Sequence, residues 1–134
     1  MKQISVFVEN KVGRARDIVS ALSDSGINLT ALSMADTTDY GIMRLITSDP
    51  EKSQTVLKDR GYVVQATDVI AVAMNDVPGA LADVLRVLAE NEIFLSYFYA
   101  YSSSQDGKAV LVFKVDHPHT AQKVLTEHGI KVFN

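Results

Sequence analysis

The chain has 134 residues, a formal charge of −3 with acidic and basic residues interspersed, and no cysteine. Disulfides and thiolate metal sites are excluded, and such a charge pattern offers no basic face to a phosphate backbone, so no nucleic acid is expected as a partner. No stretch approaches the roughly 20 apolar residues of a membrane span and the N-terminus carries no signal-like run, so the expected setting is cytoplasmic, with no membrane partner.

In chain order, "ISVFV" alternates apolar residues at Ile4, Val6 and Val8, as a half-buried strand does. After a turn at Gly13, Ala15, Ile18, Val19 and Leu22 recur at helical spacing until Gly26 stops the helix. "INLTALSMA" and "IMRLIT" read as strands joined by the polar turn "DTTDYG". "DPEKSQTVLKDRG" reads as a helix with Asp49 as N-cap, Pro50 at its first position and Gly61 at its end. "YVVQA" closes this half. The second half predicts strand 69–74, helix 78–91, strands 93–102 and 108–115, helix 118–128 and strand 130–133.

The two halves are copies. At an offset of 79 − 13 = 66, Gly13 meets Gly79, Ile4 meets Ile70, Asp17 meets Asp83, Leu22 meets Leu88 and Ile27 meets Ile93. Further on the offset is 118 − 50 = 68, pairing Pro50 with Pro118, Leu57 with Leu125 and Gly61 with Gly129. The two extra residues fall naturally in "SSSQDGK", the counterpart of "DTTDYG". The expected domains are 1–67 and 68–134, each running β-α-β-β-α-β. With right-handed crossovers that order gives an α+β fold: two ferredoxin-like units, each an antiparallel four-stranded sheet with both helices on one face.

The other face of each sheet needs a cover. In the second copy Leu95, Tyr97, Tyr99 and Tyr101 alternate with Phe94, Ser96, Phe98 and Ala100. Leu32 matches Phe98 as a bulky core-type residue, so the tyrosine row is expected to face away from the helices, joined on that face by Phe7, Ala71 and Ala73. Such a row suits sheet-on-sheet packing, either in a homodimer or between the copies; the alternative is a row of half-exposed tyrosines with no partner.

The repeated turn is the candidate site. A glycine between strand and helix lets the backbone approach a ligand, and the helix start offers unpaired N–H groups to a carboxylate. Asn10 and Asp76 stand three residues before the glycines, with oxygens able to accept from an ammonium group. Together these parts suit a zwitterion. The alternative is that Asn10 and Asp76 merely cap helices and the glycines merely permit a turn. Arg14 is placed to reach a ligand carboxylate or simply to lie exposed; Ser96 and Thr30 face either a cleft or solvent.

"NDVPGALADVLRVLAENEIFL", inside a β-α-β-β-α-β unit, resembles the ACT domain family, and the resemblance extends over two tandem repeats with no catalytic domain attached. The first copy departs at Val12, where the family often has proline, and at Arg14 and Arg16, where apolar residues are commoner. The resemblance implies a regulatory module that binds a small amino acid between domains and pairs through sheets or sheet edges. It also implies a ligand set: Asn10, Val12, Gly13, Arg14, Asn28 and Leu29 in the first repeat. In the second the set is Asn75, Asp76, Pro78, Gly79, Ala80, Leu81, Leu95 and Ser96. In ACT domains of serine-binding type one asparagine lies in the strand–helix loop and another opens the next strand. Asn10 and Asn28 match that pattern; Asp76 and Phe94 do not.

Catalytic signatures are missing. His117, His119 and Asp116 form no coherent ligand set, so no metal or other cofactor is expected. There is no GxSxG and no phosphate loop, and "SSSQDG" reads as a hairpin. The leading reading is a non-catalytic, amino-acid-binding regulatory homodimer acting on an unknown enzyme. Two others are a ligand-free oligomerisation module and a small hydrolase of the same fold, for which "ENKVGRA" is a poor phosphate cradle. An ordinary ligand efficiency gives an amino acid of about ten heavy atoms roughly micromolar affinity.

Overall fold

The structure is a computed structural model describing residues 1–37, 39–103 and 107–133. Two compact units are formed, one by Lys2–Thr67 and the other by the chain from Asp68 onward together with Met1. The expected two-residue insertion falls on 104–106, outside the described residues.

The first unit runs β1 (Lys2–Glu9), α1 (Arg14–Asp24), β2 (Leu29–Asp36), β3 (Tyr40–Thr47), α2 (Pro50–Asp59) and β4 (Val64–Asp68). Its sheet has the order β2-β3-β1-β4. The alternation of β1 does what its pattern requires: Ile4, Val6 and Val8 are buried against Ile18, Ala21 and Leu22 of α1 and Leu57 of α2. The α2 start is built as its residues dictate, with the Asp49 carboxylate accepting from the Lys52 backbone N–H at 3.0 Å and Pro50 opening the helix. A buried Ser53 hydroxyl bonds Thr47 Oγ1 at 2.8 Å, tying that helix to the end of β3.

The second unit repeats the plan with β5 (Ile70–Asn75), α3 (Ala80–Glu90), β6 (Leu95–Ser103), β7 (Lys108–Val115), α4 (Pro118–Glu127) and β8 (Lys131–Phe133). Its sheet order is β6-β7-β5-β8. Its core gathers Ile70, Val72, Val84, Leu88, Leu111, Phe113 and Leu125.

Strand register gives the direction of the tyrosines. Phe98 stands opposite Phe113, a helix-side core residue, whereas Tyr97, Tyr99 and Tyr101 stand opposite Lys114, Val112 and Val110. The tyrosines therefore point away from the helices. Leu95 does not belong to their row. The register shifts between Leu95 and Tyr97, and Leu95 packs on the helix-side core. The same irregularity separates Leu29 from Ala31, and Leu29 also packs toward its helices. A β-bulge adds one residue to the strand and reverses the alternation, which a strict period of two cannot foresee.

Among the described residues each sheet ends on one long edge strand that is paired on one side only, β2 with β3 in the first unit and β6 with β7 in the second. The helices of the first unit pack chiefly on β1 and β3. Leu32 and Met34 of β2 are consequently 55% and 47% exposed although their register partners are core residues. Along "LTALSMAD" no lysine or proline guards the edge, and the only charge is the terminal Asp36.

Candidate functional site

Both strand–helix turns are built on a left-handed glycine. Gly13 has φ 87° and Gly79 φ 91°, each at the N-cap position of its helix. An ordinary residue is strained there, which explains why the two copies agree on glycine. Neither helix start receives a side-chain cap, so Asn10 and Asp76 are not the capping residues of the blander reading. The first N–H of each helix is used within the turn, Arg14's on the Lys11 carbonyl and Ala80's on the Val77 carbonyl, both at 3.3 Å, which leaves those of the next residues in the first turn for solvent or a ligand.

Asn10 is committed elsewhere. Its Nδ2 donates to the Thr37 carbonyl at 3.0 Å, and its backbone N–H reaches the Asp39 carbonyl at 3.4 Å. The turn is thus tied to the hairpin between β2 and β3. Beside it lies Gly41, where an added Cβ would sit 3.1 Å from Met34 Cε, 3.3 Å from the Ala35 carbonyl oxygen and 3.5 Å from Asn10 Oδ1. A glycine keeps this corner open around the asparagine oxygen. The second unit makes the same tie, with the Asp76 N–H donating to the Gly107 carbonyl at 3.0 Å.

The remaining candidate residues are distributed as follows. Val12 is fully exposed at the tip of the first turn. Arg14 opens α1, its guanidinium 3.9 Å from Glu9 and 3.8 Å from Asp17. Asn28 sits just before β2, where its N–H donates to Ser48 Oγ at 3.0 Å and its carbonyl accepts from the Ser48 N–H at 2.9 Å. In the second unit, Asn75 Oδ1 accepts a short bond from Lys108 Nζ. Pro78 is exposed in the turn, Ala80 and Leu81 begin α3, and Leu81 packs into the core. Ser96 is exposed at the bulge.

Asn10 and Asn28 are not brought together within one unit. Asn28 is fastened beside Ser48 at one end of the β2–β3 hairpin, and Asn10 is fastened to Thr37 and Asp39 at the other. β2 has eight residues, so at a strand rise near 3.3 Å the separation is about 25 Å. A small amino acid spans only a fraction of that distance. The two asparagines that the resemblance names together therefore stand at opposite ends of the hairpin within one unit.

Among the described residues no group of three His, Asp or Glu side chains is arranged to hold a metal. His117 meets Asp116 at 3.6 Å at the start of α4. No helix of the described residues is long and apolar enough to cross a membrane.

Two βαββαβ units, each opening a helix at a left-handed glycine, define a pair of ferredoxin-like domains. The chain belongs to the ACT domain family: the family model for an ACT domain pair matches residues 1–134. It is similar to a crystal structure from Bacteroides thetaiotaomicron at 37% identity and TM-score 0.93, with 98% of this chain and 90% of that one covered. The fold is shared with the regulatory subunit of aspartate kinase from Thermus thermophilus in its ligand-free form, at TM-score 0.69 and 14% identity over 94% and 91% of the two chains. Aspartokinase alpha and beta subunits match at TM-score 0.63 and 24% identity, over 94% and 90%. The comparison with curated proteins found no match.

Proposed function

We propose that the protein is a non-catalytic regulator that binds a small amino acid at an interface between ACT domains of two identical copies. The observation that carries this reading is the separation of Asn10 from Asn28 along a hairpin whose outer strand is an unguarded edge. If β2 of a second copy pairs antiparallel with β2, the two-fold axis brings Asn28 of that copy toward Asn10 of the first. The ligand carboxylate then rests on the N–H groups of Ala15 and Arg16, in the first turn of α1. Asn10 Oδ1 and Asn28 of the second copy receive the ammonium group. Leu32 and Met34, exposed in one chain, are covered in the pair.

The second repeat keeps the glycine turn but has Asp76 and Phe94 in place of the two asparagines, so the first repeat is the binding one. Through the Asn10–Thr37 tie a bound ligand also fixes the end of the edge strand. It favours the paired assembly by as much as it prefers that arrangement, and a separate enzyme reads the change.

Thermal unfolding against each standard amino acid tests the proposal. At about 100 times the dissociation constant a ligand adds roughly 2.7 kcal/mol of stability. A shift with one or two small amino acids, reduced to about 0.4–1.4 kcal/mol in Asn10→Ala at the same concentration, is the expected result. No shift with any of them refutes ligand binding and leaves an oligomerisation module.

A further inference from the structure

Each repeat carries a cleft of its own, set toward the β4 edge in one unit and the β8 edge in the other. In the first unit it is lined by Phe7, Glu9, Arg14, Tyr40, Tyr62 and neighbours from Arg60 to Val63. In the second, the same backbone positions supply Ala73, Asn75, Ala80, Lys108, Ile130 and Lys131. The correspondence is confirmed by register, since Glu9 faces Tyr40 across the sheet as Asn75 faces Lys108. One scaffold therefore carries two different linings, and the comparison separates what the fold requires from what it does not.

The helix start tolerates alanine at position 80, and the strand entry tolerates isoleucine at 130. Arg14 is thus not demanded by packing, and neither is the Tyr62 hydroxyl, although the Tyr62 ring packs on its core as Ile130 does on the other. Position 60 gives the same answer. Its counterpart His128 spends a ring nitrogen on the Val124 carbonyl at 2.8 Å, closing the helix end. Among the described residues the Arg60 guanidinium and the hydroxyls of Tyr40 and Tyr62 have no partner. Arg14 is held only by ion pairs of 3.9 and 3.8 Å. Glu9, the one acid in the lining, is answered by Lys11 at 3.2 Å, so it does not cancel both arginines.

We propose that this cleft is a second ligand site, in which Arg14 and Arg60 hold a phosphate dianion, free or as a monoester, beside the rings of Tyr40, Tyr62 and Phe7. Guanidinium forks match the oxygens of phosphate, and phenol hydroxyls add donors. The aromatic rings give an attached organic group an apolar surface to lie on. The cleft adjoins the amino-acid site at the start of α1 and shares Arg14 with the ligand set implied there, but it requires no amino acid, so phosphate binding tests it separately.

Isothermal titration with inorganic phosphate and with adenosine monophosphate distinguishes the two sources, and succinate reports whether a dicarboxylate suffices. The variants Arg14→Ala, Arg60→His and Tyr62→Ile each install what the second repeat carries at the same place, so folding is preserved and checked by unchanged melting. Binding of phosphate or the monoester, weakened about tenfold or more in Arg14→Ala and Arg60→His, is the expected result. A tighter monoester whose advantage over phosphate is lost in Tyr62→Ile assigns the organic group to the rings. Absence of binding by both phosphate probes up to about 10 mM, affinity unchanged in both arginine variants, or succinate binding as tightly as phosphate overturns the proposal.

Discussion

The proposed antiparallel pairing of β2 strands makes a prediction that a site within one chain cannot meet. Asn10→Ala removes the acceptor at one end of each ligand site, and Asn28→Ala removes the group contributed by the other copy. A hydrogen bond to a charged group is worth about 1.5–3 kcal/mol, so each variant alone should lose roughly ten- to hundredfold in affinity. Asn10 Nδ2 also holds the exposed Thr37 carbonyl, which water can replace, so the fold should survive either change. When the two variants are unfolded together and refolded in equal amounts, half of the dimers are mixed. In a mixed dimer one of the two sites combines an intact Asn10 with an intact Asn28, so about a quarter of wild-type stoichiometry returns at wild-type affinity. Isothermal titration measures both numbers in one experiment. If the mixture binds no better than its separate components, the two asparagines do not act across a two-fold interface and the proposed site is wrong.

Three further outcomes follow from the same geometry. Leu32→Lys places a charge on the exposed helix-side surface of the edge strand, where it opposes strand addition, and sedimentation should show a dimer becoming monomer; a dimer of unchanged strength refutes pairing through β2. Gly13→Ala forces an L-residue to φ 87° with no atom within 4 Å of the new Cβ. The expected cost is therefore purely conformational, about 1–2 kcal/mol by denaturant unfolding, and a cost near zero would mean the turn relaxes out of its left-handed form. Asp49→Ala loses the cap of α2 and should destabilise the protein by about 1 kcal/mol without altering ligand affinity, as chemical unfolding and titration together would show.

Much of this protein was legible in its residues. Ile4, Val6 and Val8 alternate because one face of β1 is buried, and the Asp49–Pro50 pair marks a helix start because each residue satisfies a local requirement. Gly13 and Gly79 signal a turn that only glycine adopts without strain. The duplication exposed the alternation and the glycine turn twice, and with them the βαββαβ order, whereas the Asp49 cap has no counterpart at His117. These are short-range constraints, and each is met within a few residues of where it is written.

Other features depend on contacts between distant segments. The bulges after Leu29 and Leu95 turn both leucines to the helix side, because the extra residue is accommodated by the neighbouring strand rather than by the strand's own pattern. The attachment of Asn10 to Thr37, and of Asn28 to Ser48, arises from hairpin geometry and places at opposite ends two residues that the motif suggests as one pair. The same is true of the arginines at 14 and 60, far apart in sequence and joined in one cleft by the packing of two helices on a sheet. Local sequence determined which elements form and where they turn, since backbone sterics and hydrophobic period act over a few residues. Tertiary structure decided which side chains share a site, since that depends on strand register and crossover, and neither is encoded in any one segment.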